Sequence, residues 1–151
     1  QEYLDPVTNE KYIPYVIEPS VGVDRLFLTI LCDGYKKEKL EDESEREVLK
    51  LHPFLAAYKV SILPLIKKRH SEKAMDIYKM LAKEFSVSYD EAGSIGKRYR
   101  RCDAIGTPFS LTVDDNTIDN GTVTIRNRDT MEQVTLKLEE VIPYIEERIK
   151  F

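Results

Sequence analysis

KVSILPLIKKRHSEKAMDIYKMLAKEFSVSY, residues 59–89, decides the architecture of this chain. Its first seven residues, KVSILPL, are an apolar run of strand length. From residue 71 to 85 the apolar side chains Ala74, Ile77, Met80 and Leu81 recur at the spacing of one helix face, with Ser71 placed to act as an N-cap. Val87-Ser88-Tyr89 reads as a second short strand. Strand, helix and strand in that order predict a parallel pair joined by a right-handed crossover.

Further along, residues 94–105 read as a helix that ends at Gly106, and residues 108–113, PFSLTV, as a strand. Residues 114–121 are polar and turn-rich, and Asn120-Gly121 is a two-residue hairpin signal. Residues 122–128 and 133–138 alternate with period two, a hairpin around Asp129-Thr130. Residues 139–150 form a closing amphipathic helix with Val141, Ile142, Ile145 and Ile149 on one side. The pattern predicts a three-layer α/β domain with a five-stranded mixed sheet and about three helices.

Working back towards the start, residues 36–47, KKEKLEDESERE, are nearly all charged and read as a solvated connector. A domain boundary is expected there, dividing residues 1–47 from 48–151. Residues 48–51 are a short strand leading into His52-Pro53. Residues 23–34 read as a helix closed by Gly34, residues 15–17 as a buried strand, and residues 1–14 as turns. Beginning at Gln1 rather than Met, in mid-pattern, the chain is expected to be part of a longer protein.

The 151 residues are 42% apolar and 33% charged, with a net charge of −4 and a pI near 5.3. Bulk attraction to nucleic acid or membrane is therefore absent, and any RNA binding needs a local basic face. The two cysteines, Cys32 and Cys102, have neither redox nor zinc spacing and read as reduced thiols in a cytoplasmic protein. His52 and His70 lack partners at ligand spacing, so no metal site is expected. The longest apolar stretch, residues 26–32, is too short to cross a bilayer.

The chemistry concentrates in residues 16–26, VIEPSVGVDRL. Local spacing alone favours ordinary roles: Glu18 or Ser20 capping the helix that follows, Gly22 relieving packing, Arg25 on the surface. An arginine in a first helical turn opposes the helix dipole, however. Its presence fits an anionic or aromatic ligand, because guanidinium both binds phosphate and stacks on rings.

This stretch resembles the third signature motif of class II aminoacyl-tRNA synthetases, in the form found in glycyl-tRNA synthetases. The resemblance continues through LHPFLAAYKVSILPL (51–65), GSIGKRYRRCDAIGTPFSLTVD (93–114) and TVTIRNRDTMEQ (122–133), which together look like the anticodon-binding domain of those enzymes. It implies a strand–helix remnant of a class II catalytic domain followed by a three-layer anticodon-binding domain. On that resemblance Glu18 receives the glycine ammonium and Ser20 closes the pocket to larger side chains. Arg25 binds ATP, with Gly22, Val23 and Asp24 as the adjoining wall. Excluding a methyl suits glycine, since one methylene of positive binding is worth only about 1–3 kcal/mol.

Lys97, Arg98, Arg100 and Arg101 place four positive charges in five residues, around Tyr99, an aromatic able to stack on an unpaired base. Glycine codons begin GG, so the anticodon bases to be read are cytosines. A carboxylate accepts from the cytosine amino group, and Arg or Lys meets its acceptors. Lys97, Arg101 and Asp103 are thus expected readers, with Arg98, Arg100, Arg126 and Arg128 as readers or phosphate contacts. For each of them a surface ion pair fits the spacing as well, and Asp129 reads best as a turn residue.

The resemblance implies a parent glycine–tRNA ligase, a homodimer in the cytoplasm using glycine, ATP, Mg²⁺ and tRNA(Gly). The first and second class II motifs are not among these 151 residues, so the isolated chain is expected to bind RNA weakly and catalyse nothing. The alternative is a non-catalytic synthetase-like RNA-binding or polymerase-accessory subunit.

Overall fold

A computed structural model describes residues 2–40 and 43–150. Glu41 and Asp42, in the middle of the charged run, lie outside the described residues, as do Gln1 and Phe151. Strand β1 (Tyr3–Leu4) pairs antiparallel with β2 (Lys11–Tyr12), and the rings of Tyr3 and Tyr12 meet edge-on at 5.5 Å. Helix α1 (Val23–Gly34) follows, then β3 (Tyr35–Lys39) and β4 (Glu45–Leu49), an antiparallel pair. The remainder runs β5 (Val60–Pro64), α2 (Lys67–Leu81), β6 (Val87–Tyr89), α3 (Ile95–Ala104), β7 (Phe109–Val113), α4 (Asp115–Asn120), β8 (Thr122–Asn127), β9 (Gln133–Lys137) and α5 (Val141–Ile149).

These last five strands form one mixed sheet in the order β6-β5-β7-β8-β9. β5 pairs parallel with β6 and β7, whereas β8 and β9 add antiparallel. Alternation along the strands creates two different faces. One face presents Val60, Ile62, Phe109, Leu111, Val123 and Ile125, closed by Ala74, Ile77 and Leu81 of α2 and Val141 and Ile145 of α5. Burying each large side chain of this set is worth roughly 1.5–3 kcal/mol. The opposite face presents Ser61, Leu63, Ser110, Thr112, Thr124 and Arg126. Helix α3 covers its β5–β7 part, with Cys102 against Ser61 and Ser110.

The three-layer arrangement and the five-stranded mixed sheet agree with the sequence reading; a short fourth helix, α4, joins the three expected ones. Residues 114–121 hold this helix rather than a turn, because Asp114 and Thr117 form a reciprocal capping box. Gly121 closes it in the left-handed conformation, with φ +67°, so Asn120-Gly121 ends a helix instead of forming a hairpin turn. Helix α2 begins four residues before Ser71. Ile66 is its N-cap position, and the Ile66 N–H donates to His70 Nδ1. The Ser71 hydroxyl instead lies within hydrogen-bond distance of two acceptors, Lys67 O at 2.6 Å and Glu91 Oε2 at 2.9 Å.

Two further expectations are corrected. Residues 15–17 form no strand and are not buried: Tyr15, Val16 and Ile17 are all exposed. The charged run is no loose connector. Within residues 36–47, β3 and β4 pair in register from Tyr35↔Leu49 to Lys39↔Glu45. Its charges are matched across the strands, with Lys37 to Glu47 at 3.5 Å. Its inward row buries Val48 and Arg46 against α3. The expected boundary after Glu47 falls inside β4, and the hairpin is tied to the sheet domain.

Candidate functional site

The two candidate regions have opposite characters, one open and one closed. Residues 16–29, with the whole Glu18–Arg25 motif, are exposed. Helix α1 begins at Val23 with Gly22 as its N-cap, and no side chain caps it. Neither Glu18 nor Ser20 therefore takes the capping role that spacing favoured. Gly22 has φ −73°, and a Cβ placed on it would meet nothing within 4 Å. Neither backbone strain nor packing within this chain calls for a glycine there. Arg25 has no ion-pair partner among the described residues, so Glu18, Ser20, Gly22, Val23, Asp24 and Arg25 form an uncommitted strip along the start of α1.

The basic run on α3 divides by helical face. Lys97 is exposed and unpaired among the described residues. Arg101 is exposed but donates to Asp90 Oδ2 at 2.8 Å and to Ala92 O. Arg100 reaches the β3–β4 hairpin, donating to Glu45 O at 3.0 Å and to Ser44 Oγ. Arg98 turns inward and spans Pro64 O and Gly93 O, tying α3 to the end of β5.

Asp103 and Arg128 are likewise internal, so with Arg98 they brace the fold where the sequence suggested free surface groups, while Arg126 is largely buried and reaches the edge of the sheet face. Asp103 is wholly buried. Its Oδ1 accepts from Arg126 Nη1 at 2.8 Å, and its Oδ2 accepts from Arg126 Nη2 and Arg46 Nη1, both at 3.1 Å. Arg46 also donates to Arg128 O at 2.8 Å and from Nε to Glu38 Oε2 at 2.9 Å. Lys50 pairs with the same Glu38. Lys50 and then Arg46 hold the Glu38 carboxyl below its ordinary range, against the effect of burial. Arg128 donates to Leu51 O and Gly106 O and pairs with Asp129, which sits in the turn as its spacing implied. Buried guanidinium groups persist only with such complete pairing.

The sequence reading missed the surface beside this network. The sheet face covered by α3 at β5 and β7 continues uncovered onto β8 and β9. Register places Thr112, Thr124 and Thr135 in one row, Ser110, Arg126 and Gln133 in the next, and Thr122 with Lys137 in a third. Gln133, Thr135 and Lys137 are exposed, while Thr122 and Thr124 are half-buried. Tyr99 of α3 forms the inner wall. Its hydroxyl shares a 2.7 Å hydrogen bond with Thr112 Oγ1, and the Arg126 guanidinium stacks 5.0 Å from its ring centre. Hydroxyl and amide groups both donate and accept, so the shelf suits the edges of unpaired bases. The polar half of the period-two pattern in TVTIRN was the signal for it. Among the described residues no three of His, Cys, Asp and Glu converge to hold a metal ion.

A model of the anticodon binding domain family matches residues 59–148. The glycine–tRNA ligase of Clostridium kluyveri is 59% identical over 149 residues, which cover 99% of this chain and 32% of that protein. Those of Clostridium tetani and Bacillus cereus are each 54% identical with the same coverage. The chain thus spans about a third of the length of the curated relatives it matches. Among solved structures, the RNA binding domain of threonyl-tRNA synthetase from Cryptosporidium parvum Iowa II superimposes with a TM-score of 0.55 at 27% identity. That match covers 60% of this chain and 23% of the other.

Proposed function

The chain belongs to the anticodon binding domain family, and from that premise we propose that it serves a glycine–tRNA ligase by binding the anticodon of tRNA(Gly). The polar shelf of β7, β8 and β9 beside Tyr99 carries this reading, because it joins unpaired donors and acceptors to a stacking wall on one open sheet face. Lys97 is the free cation of α3, and Arg100 and Arg101 are surface cations that exchange their present partners for phosphate or base. Thr124, Thr135 and Gln133 meet base edges.

The chain divides, in this proposal, into a piece of the catalytic domain before the hairpin and the anticodon-binding domain after it. Glu18 and Ser20 line the glycine pocket of the whole enzyme, a cytoplasmic homodimer. Gly22, Val23, Asp24 and Arg25 wall its ATP site, where a guanidinium stacks on the base or binds phosphate. The glycine at position 22, which nothing within the chain requires, favours this over a non-catalytic paralogue. It leaves room for a ligand to approach the backbone. Mg²⁺ in the whole enzyme draws its ligands from other residues, and no step depends on a metal held here.

The test is titration of the chain with the tRNA(Gly) anticodon stem-loop and with the same loop carrying replaced cytosines. Tighter binding of the first is expected, and equal affinity refutes the base-reading proposal. In the whole enzyme Glu18→Ala should abolish glycine-dependent ATP–pyrophosphate exchange. Retained exchange refutes the pocket.

A further inference from the structure

We propose that Arg46, on the β3–β4 hairpin, is a positioning residue of the RNA interface. Acting through Asp103, it fixes the Arg126 guanidinium at the edge of the polar shelf. The inference rests on the reading of that shelf as the RNA-binding surface.

The geometry is a continuous chain of charge-assisted bonds. Glu38 on β3 holds the Nε side of the Arg46 fork, while Nη1 bridges Asp103 Oδ2 and Arg128 O. Asp103 in turn grips Arg126 through both oxygens. Arg126 stands 5.0 Å over the ring of Tyr99, whose hydroxyl is pinned to Thr112 in the middle row of the shelf. Three elements far apart in sequence, the hairpin, α3 and β8, thereby share one carboxylate. The side chains of Arg46 and Asp103 are 1% and 0% exposed, so neither can touch RNA. Arg126 is 8% exposed and stands in the row that ends at Gln133.

A lone carboxylate would hold Arg126 in a fork but leave its own position free. Arg46 removes that freedom, because a rigid planar fork bound to three partners has one orientation. Glu38 and Asp103 each face two cations, Arg46 with Lys50 at the first and Arg46 with Arg126 at the second, so Arg46 is the link between the two acids. The hairpin follows directly on α1, whose exposed strip carries Glu18 and Arg25 at its start. The same clamp thus ties the hairpin, and with it the C-terminal end of α1, to the sheet domain.

The experiment compares the wild-type chain with Arg46→Met and reads two quantities. One is discrimination between the tRNA(Gly) stem-loop and the loop with replaced cytosines. The other is the NMR signal of the Arg126 Nε–H, with no RNA present. Arg46→Met is expected to lower discrimination at least about tenfold, the scale of one lost base contact, and to shift or broaden the Arg126 signal. Should Arg46→Met fail to fold, Arg46→Lys takes its place, keeping the charge without the fork. A folded variant that discriminates as wild type, or one that loses discrimination with Arg126 unmoved, overturns the proposal. Should the wild type itself not discriminate, the shelf reading fails; an Arg126 signal unmoved in the variant then overturns the clamp as well, and a moved one upholds the Arg46–Arg126 linkage alone.

Discussion

Both carboxylate oxygens of Asp103 are bonded to the guanidinium of Arg126, 23 residues away, at 2.8 and 3.1 Å. With Arg46 on the same carboxylate, one anion bridges two guanidiniums in the interior, and Glu38 supplies the second negative charge. Asp103→Ala leaves both guanidiniums buried around an empty space, and removing one member of such a set costs about 3–5 kcal/mol. Equilibrium urea unfolding should show a midpoint lowered accordingly, with little change in slope. A loss below about 1 kcal/mol, the scale of a surface pair, would contradict the burial of this network.

The glycines at 106 and 121 should respond unequally to alanine. Both have positive φ, +79° and +67°, where an L-residue costs roughly 1–2 kcal/mol. A Cβ on Gly121 meets nothing within 4 Å, whereas on Gly106 it stands 2.9 Å from the carbonyl oxygen of Leu49. That oxygen belongs to β4 and cannot swing away. Gly106→Ala should therefore lose a further 1–3 kcal/mol or so beyond Gly121→Ala. Equal thermal shifts for the two variants would disprove the close approach of β4 to this turn.

Asp115 accepts from His70 Nε2 at 2.8 Å and pairs with Arg69 at 2.9 Å. The hydrogen bond from His70, then the charge of Arg69, hold its carboxyl below the ordinary value, against the effect of burial. A carboxyl depressed in the folded state adds stability above its unfolded pKa, about 3.9. That contribution fades as pH falls through the lower folded value. NMR titration should find the Asp115 midpoint below that of free aspartate. His70→Ala should return it upward. A midpoint at or above the free value in the wild type would show that the contact is not formed.

Sequence alone was sufficient where local pattern and tertiary contact agree. Ala74, Ile77 and Leu81 declare a helix face, and Val123 and Ile125 declare one side of a strand; each is buried as its period requires. It failed where a charge is satisfied at long range. Arg46 sits in a run that reads as solvated, yet its partners Asp103 and Arg128 stand 57 and 82 residues further on. No local period records such a pairing. For the same reason Asp103 and Arg128 read as available ligands when they are internal braces, and Arg126 reads as free when Asp103 holds it. At residues 15–17 the β-branched run suggested burial, but the described chain supplies no surface to cover it. The polar shelf was half legible: its threonines alternate visibly, while the absence of a helix over β8 and β9 is a property of topology.

The two cysteines give a direct reading of how firmly α3 is docked. Cys32 lies exposed on α1, whereas Cys102 is buried on the inner face of α3. Burial pushes the Cys102 thiol above its ordinary pKa, and the neighbouring negative charges of Asp103 and Asp90 add to the rise. Only thiolate attacks a disulfide reagent, so Cys102 is guarded twice, by access and by protonation. At neutral pH the folded chain should release one equivalent of chromophore from Ellman's reagent promptly, from Cys32, and a second only slowly. The slow phase measures local opening of α3, because Cys102 reacts only when that helix lifts from Ser61 and Ser110. Asp103→Ala weakens the same docking, and should speed the slow phase while leaving the fast one unchanged. Two equally fast thiols in the wild type would mean that α3 does not cover the sheet as described.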